Sequence, residues 1–187
     1  MRPPWGGTEA LYGTNPIAFA TRVGGSDPLV IDLALSKVAR GKIMAARQKG
    51  ETIPGDWALD RNGRPTTDPE EAIEGTMVPA GEAKGAALAL MVEIMAAAVT
   101  GGNFAFEASS LLDDKGAPPS LGHTIIAIDP VSSGGAGFVE RLALIAGEIE
   151  KQENVRLPGR RSQGIRRQAL ESGIVVESDI LAEIQSL

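Results

Sequence analysis

The chain has 187 residues, is 43% hydrophobic and 22% charged, and contains 23 glycines, one histidine and no cysteine. That is one domain's worth of globular chain or somewhat more; disorder, disulfides, thiolate metal sites, cysteine nucleophiles and any chemistry needing two imidazoles from this chain are excluded. The formal net charge of −6 argues against a general nucleic-acid partner. No apolar run is long enough to span a bilayer, and Met1–Gly7 has no signal-peptide core, so no membrane partner and a cytoplasmic location are expected.

The chain starts abruptly at Trp5-Gly6-Gly7. Ile17–Ala20 and Leu29–Ile31 then read as short buried strands able to pair across the Gly24–Pro28 turn. Ser36 is expected to cap a helix running through Val38, Ile43 and Ala46 to a Gly50 stop. Pro54–Pro69 is turn-rich, with Asp60–Arg64 a hairpin-like connection and Trp57 and Leu59 giving the excursion something to bury. Lys84–Val99 is the strongest helix signal, apolar nearly all round, and is expected to pack on several sides before ending at Gly101-Gly102.

A loop containing Asp113-Asp114, expected to be a turn rather than a metal site, leads to a buried strand at Thr124–Ile128. A helix after Gly137 shows Phe138, Leu142, Ile145 and Ile149 on one stripe. The Arg156–Arg167 segment leads through a further helix to Gly173, a short Ile174–Val176 strand and a helix capped by Ser178. Strands alternating with helices, without internal repeats, give an α/β fold. The GxGxxG fingerprint, the GxxxxGK[ST] phosphate loop, a G-x-S-x-G elbow and carboxylate–histidine metal spacings are all absent from the sequence.

Four places carry possible chemistry. Asp32 closes an apolar strand, where ligands gather in open α/β sheets; the alternative is a cap on the following turn or helix. Lys84 opens an apolar helix, where a cation opposes the dipole by up to about 1 kcal/mol. A bound anion would relieve that cost, with Gly85 permitting close approach; the alternative is a solvated lysine. Five of the twelve arginines fall between Arg156 and Arg167. Of these, Gly159-Arg160-Arg161 is expected to meet a phosphate or carboxylate, while Arg166 and Arg167 fit a solvated face paired with acids. His123 and Glu93 are expected to be structural, the latter because nine residues of helix set it opposite Lys84; Tyr12 and Trp57 are expected to pack.

Several separated segments, in order and spacing, resemble one family. They are Pro4-Trp5-Gly6-Gly7, Leu11 to Phe19 (LYGTNPIAF), Ile31 to Ser36 (IDLALS), Ile53 to Asp60 (IPGDWALD), Gly63 to Pro69 (GRPTTDP) and Ala83-Lys84-Gly85. The chain from about Pro4 onward is similar to the malate/L-lactate dehydrogenases of the second, non-Rossmann type, a family that includes sulfolactate, ureidoglycolate and diketogulonate dehydrogenases and a cyclic-imine reductase.

The resemblance implies a mixed β-sheet flanked by helices, L-sulfolactate dehydrogenase-like, usually in a homodimer. It implies an oxidoreductase using NAD or NADP on a small 2-hydroxy acid or 2-oxo acid of malate, lactate or sulfolactate type. It implies cofactor contacts at Asp32, Leu33, Ala34, Lys84, Gly85, Gly159, Arg160 and Arg161, with Ser36 in the same loop as Asp32. Many members carry His-Lys-Gly-Tyr where this chain has Ala83-Lys84-Gly85-Ala86, a version closer to members acting on sulfolactate or lactate-like acids.

Members also carry a long N-terminal region holding a catalytic histidine and a substrate-gripping arginine. The resemblance finds no counterpart of it here, so residues 1–187 are expected to form a single, partial cofactor-binding domain with a C-terminal helical segment and no catalytic residue of its own. The alternative is a non-catalytic remnant, a dimerising cofactor-binding module.

Overall fold

The computed structural model describes residues 1–25, 27–111, 115–133 and 135–186. Asp113 and Asp114 lie outside the described residues. The chain divides into two compact units: Met1–Ala18 with Asp32–Ile128, and Phe19–Ile31 with Asp129–Leu187. Strands β1 (Ile17–Thr21) and β2 (Leu29–Leu33) form a two-stranded sheet, the pairing expected of the two apolar runs, and the chain passes between units within each strand. β2 extends two residues further than its apolar run, so Asp32 and Leu33 are the strand's last residues rather than the loop after it.

In the first unit, helix α1 (Arg40–Lys49) ends on Gly50 in the left-handed region, with Arg47 and Lys49 favourably placed in the last turn. Its N-cap is Ala39, without a side-chain cap. Ser36 does not cap α1; it makes an antiparallel bridge to Pro79 instead, because the extended course of β2 carries on through it. Strands β3 (Ala58–Leu59) and β4 (Thr76–Met77) pair antiparallel around the short helix α2 (Pro69–Glu74). Helix α2 has complete start chemistry: Asp68 accepts from Glu70 N at 2.8 Å, Pro69 opens the helix, and Glu70 and Glu71 follow. Val38, Ile43, Ile53, Ala58, Ala72 and Met77 close a core there, with Trp57 against it.

Helix α3 (Glu82–Glu93) runs directly into a π-helical turn at Ile94–Ala98, where Val99 N donates to Ile94 O at 2.9 Å. It does not pack on several sides as its composition suggests. Only its small residues and Glu93 are buried, Ala89 joining Tyr12 and Leu35 in a second core, while Leu88, Leu90, Met91 and Ile94 are exposed. The strand expected at Thr124–Ile128 is absent, and Ile125 is 90% exposed. A strand needs a partner's backbone groups, and among the described residues none pairs with this segment; Thr124 is tied only through its hydroxyl, to Met95 O at 2.5 Å.

The second unit contains α4 (Phe138–Glu150), α5 (Arg160–Ser172) and α6 (Ser178–Gln185). Val23, Ala146 and Leu157 form its core, with Leu29, Leu142 and Ile149 packed on it. Three of the stripe positions expected on α4 are at least half-buried, but Ile145 faces outward. The strand expected at Ile174–Val176 is not formed, Val175 being 98% exposed and again unpaired, and α6 takes Glu177 rather than Ser178 as its N-cap. Among the described residues no helix is long and apolar enough to cross a membrane.

Candidate functional site

Within the first unit, two of the candidate segments meet at one residue, Ala80. From the end of β2 the chain continues extended: Leu35 N donates to Thr14 O, Ala80 N donates to Leu35 O, and Lys37 N donates to Val78 O, each at 2.8 Å. Asp32 and Leu33 are exposed, Ala34 is half-buried, and Leu35 and Ser36 are buried. The buried Ser36 hydroxyl has no hydrogen-bond partner among the described residues. The carbonyl of the same Ala80 then lies against Gly85, where a Cβ would approach Ala80 O to 1.6 Å. Gly85 is therefore small because backbone fills its side-chain space.

The turn into α3 is tightly wound. Gly81 and Glu82 both adopt positive φ, 68° and 54°, and Gly81 O accepts from Lys84 N at 3.2 Å and Gly85 N at 3.4 Å. Lys84 is exposed in this first turn and pairs with no carboxylate among the described residues. The Asp32 carboxylate is likewise without an ion pair or hydrogen bond among the described residues. Asp32 and Lys84 are thus both without an ion pair among the described residues, on segments that each meet Ala80.

Two residues not singled out for chemistry hold that frame. Arg2 is fully buried; its Nε donates to Gly13 O at 2.8 Å and its Nη1 to Leu35 O. Burial pushes its guanidinium down to about 10, opposed by the nearby Glu93 carboxylate. Glu93 is structural, as expected. Its Oε1 accepts from Asn15 Nδ2 at 3.0 Å and Gly13 N at 3.3 Å, and its Oε2 from Ala105 N at 3.3 Å. Asn15 also donates to Ala89 O at 2.8 Å. The positive φ of Asn15, 46°, is the one local signal in Gly13-Thr14-Asn15-Pro16, since asparagine tolerates that region. Tyr12 is buried and Trp57 half-buried, both packing as expected, and His123 is exposed.

In the second unit Gly159 precedes α5 at φ 84°, and a Cβ there would come within 2.9 Å of Val30 O, so the turn is pressed onto β2. The adjacent arginines, expected to share one anion, are in different situations. Arg160 is partly buried, its Nη1 3.7 Å from Asp27 Oδ2 and its Nε 3.7 Å from Glu150 Oε1. Arg161 is exposed and pairs with no carboxylate among the described residues. Arg167, fitted to a solvated face paired with acids, pairs with Asp27 Oδ2 at 2.6 Å, and Gln163 Nε2 donates to Pro28 O at 2.7 Å. Nothing in the sequence spacing announces that Asp27 collects two arginines of α5.

The malate/L-lactate dehydrogenase family matches residues 1–185. A (2R)-3-sulfolactate dehydrogenase (NADP(+)) of Chromohalobacter salexigens is 57% identical over 90% of this chain and 50% of its own length. A Delta(1)-pyrroline-2-carboxylate/Delta(1)-piperideine-2-carboxylate reductase of Pseudomonas syringae pv. tomato is 37% identical over 98% of this chain and 54% of its own. The crystal structure of a delta1-piperideine-2-carboxylate reductase from that organism superposes with a TM-score of 0.88 at 36% identity, over 98% of this chain and 55% of that one. A sulfolactate dehydrogenase from Methanocaldococcus jannaschii does so at 0.79 and 31%, over 95% and 52%. The chain spans about half the length of these relatives. Its fold is the α/β fold of this group rather than a dinucleotide-fingerprint fold, and the chain belongs to the malate/L-lactate dehydrogenase family.

Proposed function

We propose that this chain binds a nicotinamide dinucleotide, NAD or NADP, for an oxidoreductase acting on small 2-hydroxy and 2-oxo acids of malate, lactate or sulfolactate type. The observation that carries the reading is the high identity to a relative named as an NADP(+)-dependent sulfolactate dehydrogenase, across nine-tenths of this chain. The residues present fit a dinucleotide on physical grounds. Such a ligand carries phosphate anions and ribose hydroxyl donors. Lys84 and Arg161 are cations that no carboxylate pairs with among the described residues, and Asp32 is an exposed carboxylate at a strand end.

When bound, the coenzyme supplies the two-electron step, exchanging a hydride with the carbon that bears the hydroxyl or oxo group while a proton balances the oxygen. In this reading the chain's residues bind and orient. Lys84 makes a charge-assisted contact to a coenzyme phosphate, which also relieves its unfavourable place in the first turn of α3. Asp32, an acceptor only when ionised, takes a hydroxyl or amide donor. Leu33 and Ala34 present apolar surface beside it, and the Gly85 main chain approaches the ligand where a side chain has no room. Gly159 holds Arg160 and Arg161 against β2, and the buried Ser36 supports the loop from below.

No catalytic role is assigned to His123, which makes no hydrogen bond among the described residues. Residues 1–187 are proposed to act as one cofactor-binding part of the enzyme, in a homodimer that covers the exposed apolar side chains of α3. On this reading the chain alone binds coenzyme without turnover. Titration with NADPH and NADH, followed by assay with lactate, malate and sulfolactate, tests it. Binding without turnover supports the reading, turnover overturns the absence of a catalytic residue, and failure to bind either coenzyme overturns the cofactor role.

A further inference from the structure

We propose that Arg2 is a positioning residue for the coenzyme: its guanidinium fixes the Leu35 peptide, and through it the segment Asp32–Ser36 against the turn that presents Lys84. The inference rests on the coenzyme reading above and adds the buried residue that aligns the two contacting segments.

Arg2 is fully buried and forms no ion pair among the described residues. Taking a guanidinium out of water is costly unless its donors are used, and here they are used on main chain. Nε donates to Gly13 O at 2.8 Å and Nη1 to Leu35 O, two carbonyls of separate segments. The base of the side chain is fixed as well, since Arg2 N donates to Tyr12 O at 2.7 Å and Arg2 O accepts from Tyr12 N at 2.9 Å.

The opposite charge holds the same segment from α3. Glu93 Oε1 accepts from Gly13 N at 3.3 Å and from Asn15 Nδ2 at 3.0 Å. Gly13 is thus held at its N–H by a carboxylate and at its carbonyl by a guanidinium.

Leu35 carries this clamp to the candidate site. Its carbonyl, with two lone pairs, accepts from both Arg2 Nη1 and Ala80 N, and its N–H donates to Thr14 O. Its side chain is buried with Tyr12 and Ala89. Asp32 and Leu33 lie just upstream on the same extended run, and Ala80 leads into the Gly81–Glu82 turn and Lys84. Without Arg2, Ala80 N alone orients the Leu35 carbonyl, and the alignment of Asp32 with Lys84 loosens. A lysine ammonium is a point charge and does not reproduce the fixed directions of a planar guanidinium.

Arg2 acts through main chain and touches no ligand, so NADPH and NADH should lose affinity equally when it is changed. Linkage adds a second consequence: if the clamp tightens coenzyme binding, bound coenzyme stabilises the clamp by the same factor.

The test is a titration of the 187-residue chain with NADPH and NADH, for wild type, Arg2→Lys and Ile53→Ala. Arg2→Lys is expected to weaken both coenzymes about 3- to 30-fold. Ile53→Ala destabilises the separate cluster of Val38, Ile43 and Met77 and is expected to leave both affinities unchanged. In wild type, NMR hydrogen exchange at Arg2 Nε and at the Leu35 and Ala80 amides should slow on saturation with NADPH. It should slow by a larger factor than at the Ile53 amide, which is bonded to Thr67 O. Unchanged affinity in Arg2→Lys, or an equal loss in Ile53→Ala, would overturn the positioning role and leave coenzyme binding intact. If Arg2→Lys does not fold, the wild-type exchange decides: equal slowing at Arg2 and Ile53 overturns the proposal. A wild-type chain that binds neither coenzyme would overturn the coenzyme reading, and this one with it.

Discussion

The Ala80 carbonyl occupies the space that a side chain at Gly85 would need: a Cβ there would come within 1.6 Å of the Ala80 oxygen. Ala80 N meanwhile donates to Leu35 O, so the loop after β2 and the start of α3 are held to one peptide unit. Gly85→Ala should therefore act first on the fold. It is expected to destabilise the protein by about 1–3 kcal/mol through overpacking. Chemical denaturation would measure this; an unchanged midpoint would mean that the Ala80 carbonyl yields freely.

Glu93 should matter in the same structural way. Its carboxylate accepts from Asn15, Gly13 and Ala105; its removal leaves the part-buried Gly13 and Ala105 amides unpaired and Asn15 Nδ2 with Ala89 O alone. Glu93→Ala is expected to cost about 2–4 kcal/mol, with Glu93→Gln also destabilising because its amide group sets a donor against a donor. Equilibrium unfolding of both variants decides, and stability equal to wild type in Glu93→Ala would dispose of the anchoring role.

Asp27 is the brace of the second unit. Its pairs with Arg160 and Arg167 are partly solvated, so Asp27→Asn should cost only about 0.5–1 kcal/mol, and less at high salt. The clearer consequence is electrostatic: Arg160 keeps Glu150 alone as a counter-charge, 3.7 Å from its Nε. NADPH affinity should then hold, and a marked fall in a coenzyme titration of Asp27→Asn would show that Asp27 helps position the coenzyme.

The Asp60 turn carries a pH signature. Hydrogen bonds from Arg64 N and Asn62 N, each at 2.8 Å, hold the Asp60 carboxyl below its usual range. A folded value below the unfolded one means the turn's contribution is complete above the unfolded value, near pH 4, and is lost as pH falls through the lower folded value. The amide proton shifts of Asn62 and Arg64 should report a titration below that of a free aspartate. A midpoint at the free value would show that the turn does not hold the carboxylate.

Local rules made much of this fold legible. The β-branched run at Leu29–Ile31 gave β2, the stripe of Leu142 and Ile149 gave α4, and Gly50 and Gly173 marked helix ends, because each signal acts within a few residues. The Thr124–Ile128 and Ile174–Val176 segments read as strands and are not, since β-propensity needs a partner edge that the local sequence does not contain. The exposed apolar residues of α3 failed for the same kind of reason: composition cannot say which faces find a neighbour. At the site, Lys84 and Asp32 stood out through helix and strand position. Ala80, Arg2 and Asp27 did not, because their roles rest on contacts between separate segments, and an alanine carbonyl carries no side-chain signal at all.

Lys84 carries the central claim, since it is a cation without an ion pair among the described residues, at the turn that Ala80 joins to the strand-end carboxylate segment. Calorimetric titration of NADPH into the wild-type chain and into Lys84→Ala tests it most directly. A charge-assisted phosphate contact predicts about 10- to 100-fold weaker binding in the variant, with a melting temperature equal to or slightly above wild type because an unfavourable dipole contact is removed. Equal affinity for wild type and Lys84→Ala would contradict it.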